Sequence, residues 1–511
     1  MSSLQYVTSE VETYLQQLLR TPSGIEWIRF VVILGGIGAT IGIGEAVRLV
    51  FRWPPEFTRK LVHISVALLI FFAPNLFVSA IPPLILAVTF ICVAYAAIKL
   101  GLLKSLHAVE RGAYGTVYYP AAFFLLILLF WNSHAEIVSL SMLALGLGDA
   151  AAAIVGESVK NPRLFHLTAD KKSIQGSSAM ALTTALGLLI GLEYFDGTRY
   201  TPETIVIAVA SSSLIATAWE ALSSRALDNL TIPLSVSFVL YYVLVPSPLQ
   251  HNLQLSVGIG LGIVVGIIAY SLKFLKPSGA VATFLLASLL YGVGGWKWTV
   301  PIVSFFVLSS LLSKGGTSRK QETATLFEKG GTRDAGQVAA NGGVAGILAL
   351  LQYVFQNINF YPMYLGAIAA VTADTWGTEI GTYFRGKTVS IVTMGKVNPG
   401  ESGGISFAGL VGGFLGAAIV AASAGGWVES VSVLLLAVLA GLIGSAADSI
   451  AGGTIQAKYR CIECGRSTER SNHCDSTAEL VRGIRWINND FVNWICAVVG
   501  ALSVFVLGRS L

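Results

Sequence analysis

Charge is scarce in this chain: only 12% of its 511 residues are Asp, Glu, Lys or Arg, against 54% hydrophobic residues. A soluble protein of this length needs a far more polar surface, so the composition excludes that class and points to a polytopic membrane protein. The apolar stretches, such as Ala121 to Phe130, lack the strict alternation of a transmembrane strand, which leaves helices as the spanning elements. The first 27 residues lack a basic start and a cleavage site, and Leu4, Val7, Val11, Leu15 and Leu18 recur at helical spacing. That segment is expected to form an interfacial helix rather than a signal peptide.

Apolar runs recur from Phe30 to Leu507. At the roughly 17 to 25 residues needed to cross a bilayer, they correspond to about sixteen helices, about eight in each half. Basic residues sit in alternate loops, around Arg52 to Lys60, Lys99 to Arg111, Lys160 to Lys172, Lys273 to Lys276, Lys314 to Arg333, Arg385 to Lys396 and Lys458 to Arg485. The positive-inside rule places all of these at the cytoplasmic face of a plasma, inner or thylakoid-type membrane. The net charge of +5 is then mostly topology and gives a nucleic-acid partner no support. An even number of spans per half predicts parallel repeats. The expected organisation is a helix over 1–27 and membrane domains over 28–250 and 251–511, the second with a cytoplasmic Cys/His loop at 453–487.

The spans carry a polar pattern that occurs twice. Asp149 and Asp374 each stand seven residues before a glycine, Gly156 and Gly381. Downstream, Ser173 with Ser177 mirrors Ser402 with Ser406, and Glu220 mirrors Asp448. Carboxylates inside apolar segments are expensive and mark sites. In the first half, Asp149 faces Lys171 and Lys172 across a loop, with Ser173, Gly176 and Ser177 opening a helix as donors for a magnesium-bridged phosphate. Glu220, Asp228 and Asn229 add ligands near the same face. Arg59, Lys60 and His63 stand where a helix enters the membrane; the two cations suit snorkelling anchors as well as a head-group site.

In the second half, Arg333, Asp334, Gln337 and Asn341 form a polar face at the start of a span. Asp374 and Glu379, five positions apart, suggest a divalent cation, and Asn489 and Asp490 add a polar turn in the last span. Residues 381–388, GTYFRGKT, match the phosphate-loop pattern formally but follow a membrane helix and precede a strand, which is the wrong context; Arg385 and Lys387 remain candidate phosphate contacts. Cys461, Cys464, His473 and Cys474 have zinc-ribbon spacing, although adjacent His473 and Cys474 are awkward as joint ligands. Cys92 and Cys496 lie within apolar spans as packing residues.

These motifs carry a resemblance. From about Glu56 to Val245, through RKLVH, GLGDAAAAIVG, KKSIQGSSA and DNLTIPL, the chain resembles the CTP-dependent phytol kinase and dolichol kinase family. From about Lys273 to Leu507, through RDAGQVAANGG, ADTWGTEIG, PGESGGIS, GSAADSIAGG and NNDFVN, it resembles the membrane family that includes phytyl phosphate kinase. The resemblance implies a fused pair of kinases that use CTP and Mg2+ on a prenol and then on its monophosphate, feeding quinone or tocopherol synthesis. It implies catalytic roles for His63, Asp149, Asp374, Glu379 and Asp448 and a Mg2+ role for Asp149, Glu220, Asp374 and Asp448. Phosphate contacts would come from Arg59, Lys60, Lys171, Lys172 and Ser173 in the first half, and from Arg333, Arg385, Lys387, Ser402 and Ser406 in the second. A lipid cytidylyltransferase and a duplicated transporter are the alternative readings.

Overall fold

The computed structural model describes residues 12–53, 55–100, 114–195, 197–245, 249–315, 332–474 and 476–508. The chain divides into two compact units, Met1–Leu253 and Gln254–Leu511. Residues 12–18 are helical, residues 1–11 lie outside the described residues, and the first long apolar helix begins at Gly24, where Ser23 and Glu26 form a capping box.

The first unit contains α1 (Gly24–Phe51), α2 (Pro55–Phe71), α3 (Ile81–Leu100), α4 (Gly115–Ser158), the hairpin β1 (Leu164–His166) and β2 (Lys171–Ser173), then α5 (Ile174–Tyr194), α6 (Pro202–Leu222) and α7 (Asp228–Leu244). Helix α4 is central: α2, α3, α5 and α7 all pack on it. Its residues Ile137 to Leu145 are buried without interruption, as expected of a helix that is apolar all round. It breaks at His134, whose φ of −149° and ψ of 56° depart from helical values.

The second unit follows a similar order: α8 (Leu249–Ser271), α9 (Pro277–Gly315), α10 (Ala335–Val354), α11 (Tyr361–Phe384), the hairpin β3 (Thr388–Ser390) and β4 (Gly404–Ser406), α12 (Phe407–Ser423) and α13 (Val431–Thr454). Short strands β5 (Lys458–Arg460), β6 (Ser467–Thr468), β7 (Asn472–His473), β8 (Ser476–Thr477) and β9 (Glu479–Arg482) precede the final helix α14 (Asn489–Gly508). Here α11 is the central helix, packed by α9, α10, α12, α13 and α14. Helix α9 bends at Gly295, where φ is 58° and only glycine is at ease.

Among the described residues, ten helices are long and apolar enough to cross a membrane. This is fewer than the sixteen or so expected; α7 and α12 are apolar but shorter, and α4 and α9 are long single helices with a break.

In both units the central helix leads into a two-stranded hairpin whose last residue caps the next helix. Ser173 Oγ accepts from Gly176 N at 3.1 Å, and Ser406 Oγ accepts from Gly409 N at 3.1 Å. This corrects the expected pairing: Ser406, not Ser402, is the counterpart of Ser173. The cap also explains the glycine seven residues after each aspartate. A Cβ at Gly156 would lie 3.0 Å from Ser173 Oγ, and one at Gly381 would lie 2.9 Å from Ser406 Oγ. Seven residues are two helical turns, so aspartate and glycine share one face and the glycine lets the capped helix approach it. The fit is tighter again at Gly176, where a Cβ would stand 2.7 Å from the carbonyl oxygen of Ala152. Gly176→Ala is expected to lower thermal stability in detergent by about 1–3 kcal/mol, whereas Gly35→Ala, with nothing within 4 Å, leaves it equal or higher.

Candidate functional site

Each unit gathers carboxylates where the central helix meets the hairpin and the following helices. In the first unit, Asp149 on α4 forms an ion pair with Lys60 on α2, and both are buried. His63, one turn along α2, places Nδ1 3.9 Å from Asp149 Oδ2, too far for a hydrogen bond, and Nδ1 has no hydrogen-bond partner. Its ring packs on Tyr119 with centroids 4.9 Å apart.

Lys172 enters from the hairpin. Its Nζ lies 2.7 Å from Glu220 Oε1 on α6 and 3.6 Å from Asp228 Oδ2 on α7, and Ser177 Oγ donates to Glu220 Oε2 at 3.2 Å. Asp149 feels Lys172, and Asp228 feels both Asp149 and Lys60, so these residues form one electrostatic cluster. Burial opposes the charge on Lys172, but Glu220 and Asp228, with Asp149 behind them, outweigh it and hold its pKa above the ordinary lysine value. The pairing therefore contributes fully at neutral pH and is lost only as alkaline pH rises through the folded-state value.

Asp228 reaches this cluster through an unusual turn. Arg225 and Ala226 both adopt left-handed backbone, with φ of 54° and 61°, immediately before α7. Ala226 packs so closely on Gly115 that a Cβ there would fall 2.5 Å from the Ala226 Cβ. Asn229 follows, buried, with its Oδ1 unpartnered. Arg59 lies within electrostatic reach of His63. Lys171 departs from expectation: on a strand, neighbouring side chains point to opposite faces, so Lys172 turns inward and Lys171 is exposed.

Beside His63 runs an open apolar cleft between α1, α2, α3 and α4. Its cavity volume is about 100 Å³, and it is lined by residues including Ile41, Val66, Phe90, Ala94, Tyr119 and Phe123. His63 lines it together with Thr116 and Tyr119, so the cleft shares His63 with the charged cluster.

In the second unit, the carboxyl groups of Asp374 on α11 and Asp448 on α13 lie close enough to act directly on each other. No lysine stands between them. The two residues before the capping serine are Gly404 and Ile405, where the first unit has Lys171 and Lys172. Two touching carboxyls require a shared proton or a cation. Asp448 Oδ2 is inaccessible and has no hydrogen-bond partner, so one oxygen is free to ligate. An all-oxygen donor set of this kind fits Mg2+. Glu469, from the strand-rich segment before α14, acts on Asp448 electrostatically and accepts a hydrogen bond from Ser402.

Several expected residues are engaged elsewhere. Glu379 accepts from Ser313 Oγ at 2.8 Å and is not the partner of Asp374, because five helical residues rotate it roughly 140° around the axis. Asp334 and Gln337 form a reciprocal capping box at the start of α10, Asp334 also lies 3.7 Å from Lys276, and Asn341 donates to Gln337 O at 2.9 Å. Arg333 lies over the rings of Phe305 and Phe306, 5.2 and 5.6 Å from their centroids. These contacts account for the polar face of α10 as helix initiation and cation–π packing. Arg385 ends α11 with a φ of 47°, and both it and Lys387 are exposed. The glycine-rich stretch is therefore the last turn of a helix and not a phosphate loop. Asn489 and Asp490 lie in the first turn of α14, which packs on α11 and α13. Cys461, Cys464, His473 and Cys474 are brought together. Arg111 lies outside the described residues.

Tyr119, Glu469 and the cleft were not anticipated. Tyr119 belongs to an apolar run that reads the same whether it faces lipid or a cleft, and Glu469 lies in a strand segment with no helical period. Lys172→Met is expected to cost about 3–5 kcal/mol of stability by leaving Glu220 and Asp228 unpaired, while Lys171→Met changes it by less than about 0.5 kcal/mol. Thermal unfolding of the two variants in detergent measures the difference.

Residues 260–501 match the family described as integral membrane protein DUF92. A protein named phytol kinase from Synechocystis sp. is 30% identical over 215 residues, covering 42% of this chain and 90% of that protein. Protein PGR of Arabidopsis thaliana is 28% identical over 253 residues, 44% of this chain and 86% of that protein. Protein VTE6, chloroplastic, also from Arabidopsis thaliana, is 26% identical over 242 residues, 46% of this chain and 65% of that protein. No solved structure matches. The chain thus belongs to the family of multi-pass integral membrane proteins that includes the Synechocystis phytol kinase, with the DUF92 match in its second unit.

Proposed function

We propose that this protein is a prenol kinase that adds two phosphoryl groups in turn, the first unit acting on the alcohol and the second on its monophosphate. The observation that carries this reading is the meeting, at His63, of an apolar cleft with a buried cluster of paired cations and carboxylates. A lipid tail needs the first, and a phosphate donor needs the second. The name of the Synechocystis relative supports the same chemistry.

In this reading the cleft holds the isoprenoid chain and its hydroxyl lies between His63 Nδ1 and Asp149. The hydroxyl oxygen attacks the γ-phosphorus of a nucleoside triphosphate, here CTP. The bond to the β-phosphate oxygen breaks, CDP leaves, and the hydroxyl proton passes to the His63–Asp149 pair. Lys60 holds Asp149 in place, and Lys172 holds Glu220 and Asp228. In the second unit the acceptor is already an anion, so screening its charge matters more than a base. Asp374 and Asp448 would hold Mg2+, which offsets charge on the transferring phosphates. Both sites would face the cytoplasm, in line with the basic loops.

The test is a product assay on purified full-length protein with phytol and γ-labelled CTP. Wild type is expected to give the mono- and diphosphate with CDP. Asp149→Asn is expected to lose monophosphate formation by about a hundredfold or more while still converting added phytyl phosphate, and Asp374→Asn should accumulate monophosphate. Release of labelled pyrophosphate with formation of a CDP-lipid, or diphosphate at the normal rate from Asp374→Asn, overturns the proposal. Filling the cleft with Ala94→Trp is expected to lower kcat/KM for a twenty-carbon prenol by about tenfold or more while sparing a five-carbon one; equal loss on both contradicts its assignment to the tail.

A further inference from the structure

The strand-rich segment before α14 contains a second built site that the kinase reading does not use. Cys461, Cys464, His473 and Cys474 each offer a ligand atom, and all four atoms lie within 4.8 Å of one another. His473 Nδ1 is 3.5 Å from Cys464 Sγ and 3.1 Å from Cys474 Sγ. Donors around a tetrahedral zinc, with bonds of about 2.0–2.3 Å, stand about 3.3–3.8 Å apart. Three sulfurs and one imidazole suit zinc and do not suit Mg2+.

The backbone is shaped for this. Cys461 and Cys464 flank a tight knuckle in which Gly465 N donates to Cys461 O and Cys461 N donates to Arg466 O, both at 3.0 Å. Gly465 closes it with a φ of 68°. On the facing side, His473 pairs with Ser476 across β7 and β8, so Cys474 opens the hairpin turn, and its φ of 53° is what such a turn requires. That left-handed step lets adjacent His473 and Cys474 aim at one point, which resolves the objection raised by their adjacency.

The segment also needs a staple. Among the described residues its hydrophobic core is Ala457, Tyr459 and Ala478 with Leu480 against them, too little to order so many residues by burial alone. We propose that these four residues bind one zinc ion, and that the metal, by fixing both ends of the segment from Cys461 to Cys474, holds Glu469 against Ser402 and beside Asp448. Glu469 is in this sense a positioning residue for the carboxylate pair, and the zinc site stands whether or not the protein is a kinase.

Metal analysis of full-length protein purified without added metal is expected to find one zinc per chain. Titration with an organomercurial should release it in step with modification of three thiols. Cys464→Ser is expected to lose the zinc and Asp448→Asn to keep it. In wild-type protein, stripping the zinc should raise tryptic cleavage at Arg470 by about tenfold or more, and restoring zinc should reverse this. Absence of zinc, a different metal at that stoichiometry, or full retention in Cys464→Ser overturns the site. Unchanged cleavage at Arg470 after stripping overturns the positioning of Glu469, and that readout does not depend on any variant folding.

Discussion

A carboxylate on a helix buried among other helices must be neutralised where it stands, because moving it into an apolar body costs far more than a single hydrogen bond returns. Asp149 sits in that position, on a helix whose preceding residues from Ile137 to Leu145 are buried. Its neutralisation recruits Lys60 from one helix, and Lys172, brought in by a hairpin, extends the cluster to Glu220 and Asp228. The hairpin delivers Lys172 only because Ser173 ends it as a helix cap, and the cap fits only because Gly156 leaves room. One charge thus explains the central position of α4, the small residues around it and the path of the chain.

The second unit repeats the path, but among the described residues no lysine is paired with Asp374 or Asp448. Asp374 and Asp448 meet directly, with Gly404 and Ile405 where lysines stand in the first unit. The same architecture then has different electrostatic needs: the first pocket sets two lysines against three carboxylates, and the second, with two facing carboxyls, requires a proton or a metal. In the proposed two-step kinase, that difference would match a neutral acceptor in one unit and an anionic acceptor in the other. The cysteine-rich segment has no counterpart in the described residues of the first unit, and it brings a third carboxylate, Glu469, towards Asp448.

Much of this was legible from residue type and spacing. Asp149, Asp374, Glu220, Asp448 and Lys172 stand out because charge inside apolar runs is rare, and the seven-residue offset to glycine is a helical repeat. The serine pairing was misread because Asp374 to Ser406 spans 32 residues where Asp149 to Ser173 spans 24. Two serines four apart then matched in sequence, whereas the physical signal is the serine three residues before a glycine. Glu379 looked like a partner of Asp374 by proximity along the chain, but helix geometry turns it away. The polar start of α10 carried a capping signature that accounts for it without a ligand. Nothing local reveals that Lys60 reaches a residue 89 positions away, or which apolar residues line a cleft.

The most direct test of the inequality between the units is manganese binding to the full chain without nucleotide, followed by electron paramagnetic resonance. Manganese favours oxygen donors and does not compete for thiolates. A bound Mn2+ is expected that is lost in Asp448→Asn and retained in Asp149→Asn. Retention in Asp448→Asn, or loss in Asp149→Asn, would contradict that inequality.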